Sequence, residues 1–302
     1  MATPPIGRLF PVGGPVPPEL VIGRTGEIEE IVRRLQEGIS TLLQGERRIG
    51  KTTVCNAACD QIEGGVLRLE VPERRGGNSA DLLQLIIDAC AIASATGVDK
   101  KVLRALRPTL EKILKDEGIP LDLSELGAEP NLLPVRRILS LPVDVGNTLG
   151  TPIVFFLDEL QRTVDYSDGE VLVRDLVDIY SGHRTVTVLV DGSDQRAFEM
   201  LYRDVQLDKL CDRLSLSETI PAAVWREALP ARFEMADLVL TDEALALIVD
   251  FGAERPYPTM LAALHTALSA RRLRDGAPVG GFEATMGIDE AKRQLDFGGR
   301  GV

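Results

Sequence analysis

The chain predicts a parallel α/β domain followed by a helical appendage, and three observations carry that expectation. Short apolar runs at 39–44, 66–71, 152–157 and 185–190 alternate with segments of helical periodicity. The runs at 152–157 and 185–190 are continuously apolar, as strands covered on both faces are. After Pro221 the pattern is helical only.

Taken in order, residues 1–19 are rich in Pro and Gly and read as an extended arm. Gly23-Arg24-Thr25-Gly26-Glu27 leads into a helix with Ile28, Ile31, Val32 and Leu35 on one face. A strand at 39–44, a Gly-rich loop and a helix over about 51–62 follow, then a strand at 66–71. Gly76, Gly77 and Asn78 mark a loop, and Ser79 is a candidate cap for a helix over 81–93. Residues from about 97 to 150 read as a helical insertion carrying Lys100, Lys101, Arg104, Arg107, Lys112 and Lys115. Those charges are either a solvated face or a surface for nucleic acid or a protein partner. After the strand at 152–157 comes a helix with Val171, Leu172, Leu176 and Ile179. The strand at 185–190 and a short strand at 214–220 complete the sheet. Thr241, followed by Asp242 and Glu243, is a candidate N-cap. The expected organisation is an arm at 1–19, an α/β domain at 20–215 with its insertion, a helical lid at 216–275 and a Gly-rich, partly unordered tail at 276–302.

Composition narrows the function classes. With 44% hydrophobic and 26% charged residues the chain resembles an ordinary soluble protein, and 4% aromatics imply a core of Leu, Val, Ile and Ala. A net charge of -12 gives no support for broad binding to a phosphate backbone, although a local basic patch stays open. Residues 1–10 lack the blocks of a signal peptide, and no apolar run approaches the ~20 residues of a membrane helix. The expectation is a cytoplasmic protein with no membrane partner. Cys55 and Cys59 share a helical face without further ligands nearby, so all four cysteines (with Cys90 and Cys211) read as small buried residues. His183 and His265 are isolated.

Gly45-Glu46-Arg47-Arg48-Ile49-Gly50-Lys51-Thr52 fits G-x-x-x-x-G-K-[ST] at every fixed position, between an expected strand and an expected helix. Glycines let the backbone curl so that its N–H groups face phosphate oxygens, and the helix presents its positive end to the same anion. Lys51 is then aimed at the β- and γ-phosphates, Thr52 is a Mg²⁺ ligand, and Thr53 continues the binding segment. Val154-Phe155-Phe156-Leu157-Asp158-Glu159 is the matching Walker B pattern, with Asp158 as the second Mg²⁺ ligand and Glu159 as the residue that activates water. Ser193, in Asp191-Gly192-Ser193-Asp194, is either a sensor of the γ-phosphate or a helix cap. No N-K-x-D guanine motif is evident.

Val21-Ile22-Gly23-Arg24 with Glu27, the loop 45–52 with its Arg47-Arg48, Leu157-Asp158-Glu159-Leu160-Gln161 and Gly192-Ser193 together resemble the archaeal-type ATPase family, within the AAA+/STAND group of P-loop ATPases. The resemblance covers about residues 20–270. It implies a three-layer αβα P-loop domain with the two Walker strands adjacent, a C-terminal helical lid, and ATP with Mg²⁺ as cofactors. It places Ile22, Gly23 and Arg24 near the adenine, Arg213 just before a strand at the arginine-finger position, and Arg255 and Pro256 at the lid's sensor position. Arg196 and Arg203 compete with Arg213. The family's winged-helix, nuclease or repeat sensor domains are not evident. The implied function is an ATP-hydrolysing switch binding ATP and ADP, with a homo-oligomer as an open expectation. The alternatives are an AAA+ module that assembles on nucleic acid and a nucleotide-bound scaffold with little turnover.

Overall fold

The computed structural model describes residues 4–14, 16–73, 79–92, 111–112, 114–116, 118–120, 134–273 and 278–298. Among the described residues five strands, β1 (Thr41–Gln44), β2 (Gly65–Glu70), β3 (Ile153–Asp158), β4 (Val186–Asp191) and β5 (Asp212–Ser215), form one sheet in the order β2-β3-β4-β1-β5. Every neighbouring pair is parallel. The helices are α1 (Thr25–Gln36), α2 (Lys51–Cys59), α3 (Ala80–Ile92), α4 (Val135–Leu149), α5 (Gly169–Tyr180), α6 (Gln195–Asp204), α7 (Ala222–Glu234), α8 (Asp242–Gly252), α9 (Pro256–Leu273) and α10 (Gly281–Gly298). Among the described residues no helix is long and apolar enough to cross a membrane.

The chain divides into two units. The sheet unit comprises Glu27–Glu46 and Cys55–Leu216; the helical unit comprises Met1–Gly26, Arg47–Val54 and Ser217–Val302. In the sheet unit β3 and β4 are buried along their apolar residues, as their continuous runs predict. Leu83 and Ile87 of α3, Ile138 and Leu139 of α4, and Leu172 and Leu176 of α5 close the core. Within α5 the buried face is Leu172, Val173, Leu176, Val177 and Tyr180, so Val171 points outward at 61% exposure. The second half of the expected insertion forms α4, which packs into this core; Lys100, Lys101, Arg104 and Arg107 lie outside the described residues, and Lys112 and Lys115 are exposed.

Ser79 stands just before α3, and its hydroxyl donates to Asp168 at 2.6 Å. Two local expectations are corrected. The last strand is β5, which stops at Ser215 because only that stretch pairs with β1; Arg213 lies inside it. Helix α2 ends at Cys59 and not near residue 62. The four thiols are buried, and burial pushes Cys59 up to about 12.

The helical unit is held by a second core, in which Trp225, Leu229 and Phe233 of α7, Ile248 of α8 and Leu261 of α9 are buried. Thr241 caps α8, accepting from the Ala244 N–H at 3.3 Å. One expectation fails here. The N-terminal segment is not simply extended: it has a helical turn at Ile6–Leu9, and Phe10 packs edge-on to Phe233 at 4.9 Å. The tail, expected to be unordered in part, carries α10. Its glycines flank and enter α10, whose Ala284 and Ala291 are fully buried. A Cβ at Gly287 would fall 2.4 Å from the Thr266 backbone nitrogen, so the residue serves close helix packing and not flexibility. Gly287→Ala is therefore expected to destabilise the helical unit by roughly 1–3 kcal/mol, the cost of overpacking. A urea unfolding midpoint equal to wild type would refute that reading.

Candidate functional site

The parallel strands bring their carboxyl ends to one edge of the sheet, where open α/β folds bind ligands. Asp158 is the last residue of β3 and Glu159 follows it; Gly192 and Ser193 follow β4; the loop beginning Gly45-Glu46 follows β1. The Walker strands are not neighbours, contrary to expectation: β4 lies between β1 and β3, pairing Leu43 with Asp191 and Leu157 with Val190. That insertion sets Ser193 beside the Walker B end.

Glu159 adopts a left-handed backbone, φ 58°, sparsely populated for a non-glycine residue. Its carboxylate accepts from Gln161 Nε2 and from Ser193 Oγ, the latter at 3.3 and 3.4 Å. Gln161 is itself buried. A Cβ at Gly192 would fall 1.9 Å from Gln161 Oε1, so glycine there leaves room for the amide. The structure thus joins the two predicted residues Glu159 and Ser193. It adds Gln161, whose part the sequence did not disclose, because only the left-handed turn at Glu159 folds its amide back onto the carboxylate. The cap of α6 is Asp194, whose carboxylate accepts from the Ala197 N–H at 3.0 Å, so that alternative for Ser193 is taken by its neighbour.

Arg213 is engaged within the sheet unit. Its guanidinium donates to Glu199 at 2.7 Å and lies 3.6 Å over the Tyr202 ring. The same bond holds the Glu199 carboxyl below its usual value. Arg203 is 79% exposed and 3.6 Å from Glu199; Arg196 is exposed.

In the helical unit the remaining loop residues curl as an anion-binding nest does, with Arg48 at φ 68° and Gly50 at φ 97°. Glu46, Arg47 and Arg48 are exposed, and Ile49 is buried. Lys51, 5% exposed, begins α2, and Thr52 is half-buried. Thr53 Oγ1 accepts from the Val16 N–H at 3.1 Å, which ties the N-terminal segment to the loop. Arg24 is buried and donates to the carbonyls of Ile49 (3.2 Å) and Ser217 (2.8 Å). Gly23, at φ 64°, leaves no space for a side chain against Ile220. Ile22, Arg24, Ile49, Gly50, Thr53 and Pro256 line one largely apolar cavity of about 70 Å³. Arg255 is exposed, and Arg48 stacks over Tyr257 at 4.7 Å.

No family profile and no curated protein matches the chain. Solved structures do. A Walker-type ATPase of Pyrococcus abyssi superposes with a TM-score of 0.65 at 18% identity, over 96% of this chain and 77% of that one. The Aeropyrum pernix ORC2 protein, solved as ADPNP–ADP complexes, gives 0.63 at 19% identity over 95% and 74%. The Aeropyrum pernix ORC1 protein, solved in complex with DNA, gives 0.60 at 15% identity over 96% and 69%. The sheet order, the flanking helices, the helical C-terminal region and these likenesses agree: the chain has the fold of the P-loop AAA+ ATPases.

Proposed function

We propose that the chain binds ATP with Mg²⁺ and hydrolyses it as a nucleotide-driven switch. The observation that carries this reading is the clamped Glu159, held by Ser193 and Gln161 on the same sheet edge from which the phosphate loop departs. Curled backbone around Arg48 and Gly50 supplies N–H donors for phosphate, and Lys51 adds a point charge at the head of α2. The Thr52 hydroxyl and the Asp158 carboxylate are hard oxygen donors that suit Mg²⁺, which neutralises charge developing on the phosphates. Glu159 takes the proton of the attacking water, and its two donors keep the carboxylate oriented. Ile22, Gly23 and Arg24 with Pro256 serve the base, and Arg255 serves the phosphates when the lid closes.

Arg213 as a finger for a neighbouring copy's ATP requires that its bond to Glu199 be exchanged on assembly. Arg213→Ala is expected to leave ATP affinity within a few-fold of wild type and to lower turnover strongly. ATP titration and phosphate release by the wild type and Arg213→Ala, with the wild type also followed through a protein dilution series, test these points. Absence of ATP binding overturns the whole reading, and turnover per protomer that is constant on dilution removes the finger. A second reading, assembly on nucleic acid, is favoured by the likeness to ORC1, which was solved with DNA. ATP-dependent DNA retention that weakens with salt supports it, and no retention at low salt removes it.

A further inference from the structure

Helix α7 carries a buried charge without a counter-charge among the described residues. Trp225, Leu229, Arg232 and Phe233 are its buried residues, at the i, i+4, i+7, i+8 spacing of one helical face. Arg232 is 5% exposed. Its guanidinium donates to the Leu20 carbonyl and approaches the Met260 sulfur at 3.9 Å, and no carboxylate pairs with it among the described residues. Burial draws its pKa down to about 10. Two turns earlier, Trp225 is 1% exposed and its Nε1–H has no acceptor among the described residues. Buried donors in this condition are costly, and an acceptor arriving from outside offsets the cost.

Both residues line the same apolar cavity as Leu20, Ile22, Ile49 and Gly50. Gly50 belongs to the phosphate loop, so a group entering here is what a nucleotide carries beyond its phosphates. We propose that Arg232 and Trp225 read the base of a bound adenine nucleotide. The inference rests on the ATP reading above. The aliphatic walls take the ring faces, while Arg232 and Trp225 donate to ring nitrogens. A carbonyl oxygen has two lone pairs, and Leu20 spends one on Arg232, leaving the other for the exocyclic amine. Adenine presents a ring-nitrogen acceptor beside an amine donor. Guanine has a carbonyl where adenine has the amine and sets two oxygens against each other.

The test is equilibrium binding, without turnover, of ATP, GTP and inorganic tripolyphosphate to the wild type, Arg232→Met and Trp225→Phe. Methionine keeps the length of the side chain and removes an uncompensated charge, a change that buried sites tolerate. Arg232→Met is expected to weaken ATP roughly tenfold or more, and Trp225→Phe about threefold. Both narrow the preference for ATP over GTP and leave tripolyphosphate affinity unchanged. Wild-type ATP affinity in Arg232→Met, or an equal loss of ATP and tripolyphosphate, overturns the inference while the phosphate-loop reading stands. A wild type that binds neither ATP nor tripolyphosphate overturns that reading and this inference with it. Where Arg232→Met fails to reach the native circular-dichroism spectrum, Trp225→Phe decides on the same criteria.

Discussion

Lys51→Ala is expected to lose ATP binding and hydrolysis together. The ammonium sits at the first residue of α2, where the positive end of the helix dipole and the curled loop already favour an anion. It strengthens hydrogen bonds that exist with or without it, so its removal weakens the ground-state complex as well as the transition state. A hydrogen bond to a charged group contributes about 1.5–3 kcal/mol, which is roughly ten- to a hundredfold in the dissociation constant. Turnover at saturating ATP falls as well, because charge on the transferring phosphoryl oxygens loses a cation. The measurement is ATP titration by calorimetry, followed by phosphate release at saturation. Lys51 is 5% exposed, so the melting temperature of the nucleotide-free variant must be taken alongside. Normal ATP affinity in a folded Lys51→Ala protein would remove the phosphate-loop assignment and the proposed function with it.

The features legible in the sequence are those fixed by local chemistry. The loop 45–52 announces itself because only glycine and a few polar residues satisfy its backbone geometry, and β3 and β4 announce themselves as uninterrupted apolar runs. What depends on distant chain segments was hidden. No local signal says that β4 slips between β1 and β3, since strand order is set by crossovers. Phe10 sits in a Pro- and Gly-rich stretch, and its burial against Phe233 depends on residues more than two hundred positions away. The tail's glycines read as disorder because composition does not distinguish a flexible Gly from one that lets two helices touch, as Gly287 does at Thr266. Arg213 looked available because its partner Glu199 lies on a different element. Arg232 was legible in principle: a charge at i+7 from Trp225, in the apolar stripe of α7, is a local inconsistency of the kind that marks a site.

Glu159→Gln is expected to separate chemistry from binding. The two side chains have the same shape, and the left-handed backbone at φ 58° suits neither better, so folding should be unaffected. The amide still accepts one hydrogen bond through its oxygen, so Gln161 or Ser193 retains a partner. What disappears is a carboxylate able to take a proton from water. General-base catalysis contributes ~10²–10⁴-fold, and turnover should fall by about that factor. In the proposed arrangement Glu159 touches no phosphate, so the ATP dissociation constant should barely move and an ATP-bound state should accumulate. Ser193→Ala sharpens the reading: it removes one donor that orients the carboxylate and leaves the base, so it should cost far less than Glu159→Gln. Single-turnover phosphate release on both variants decides the matter. Wild-type turnover in Glu159→Gln would mean that another group activates the water, and that the clamp formed by Gln161 and Ser193 holds a structural carboxylate.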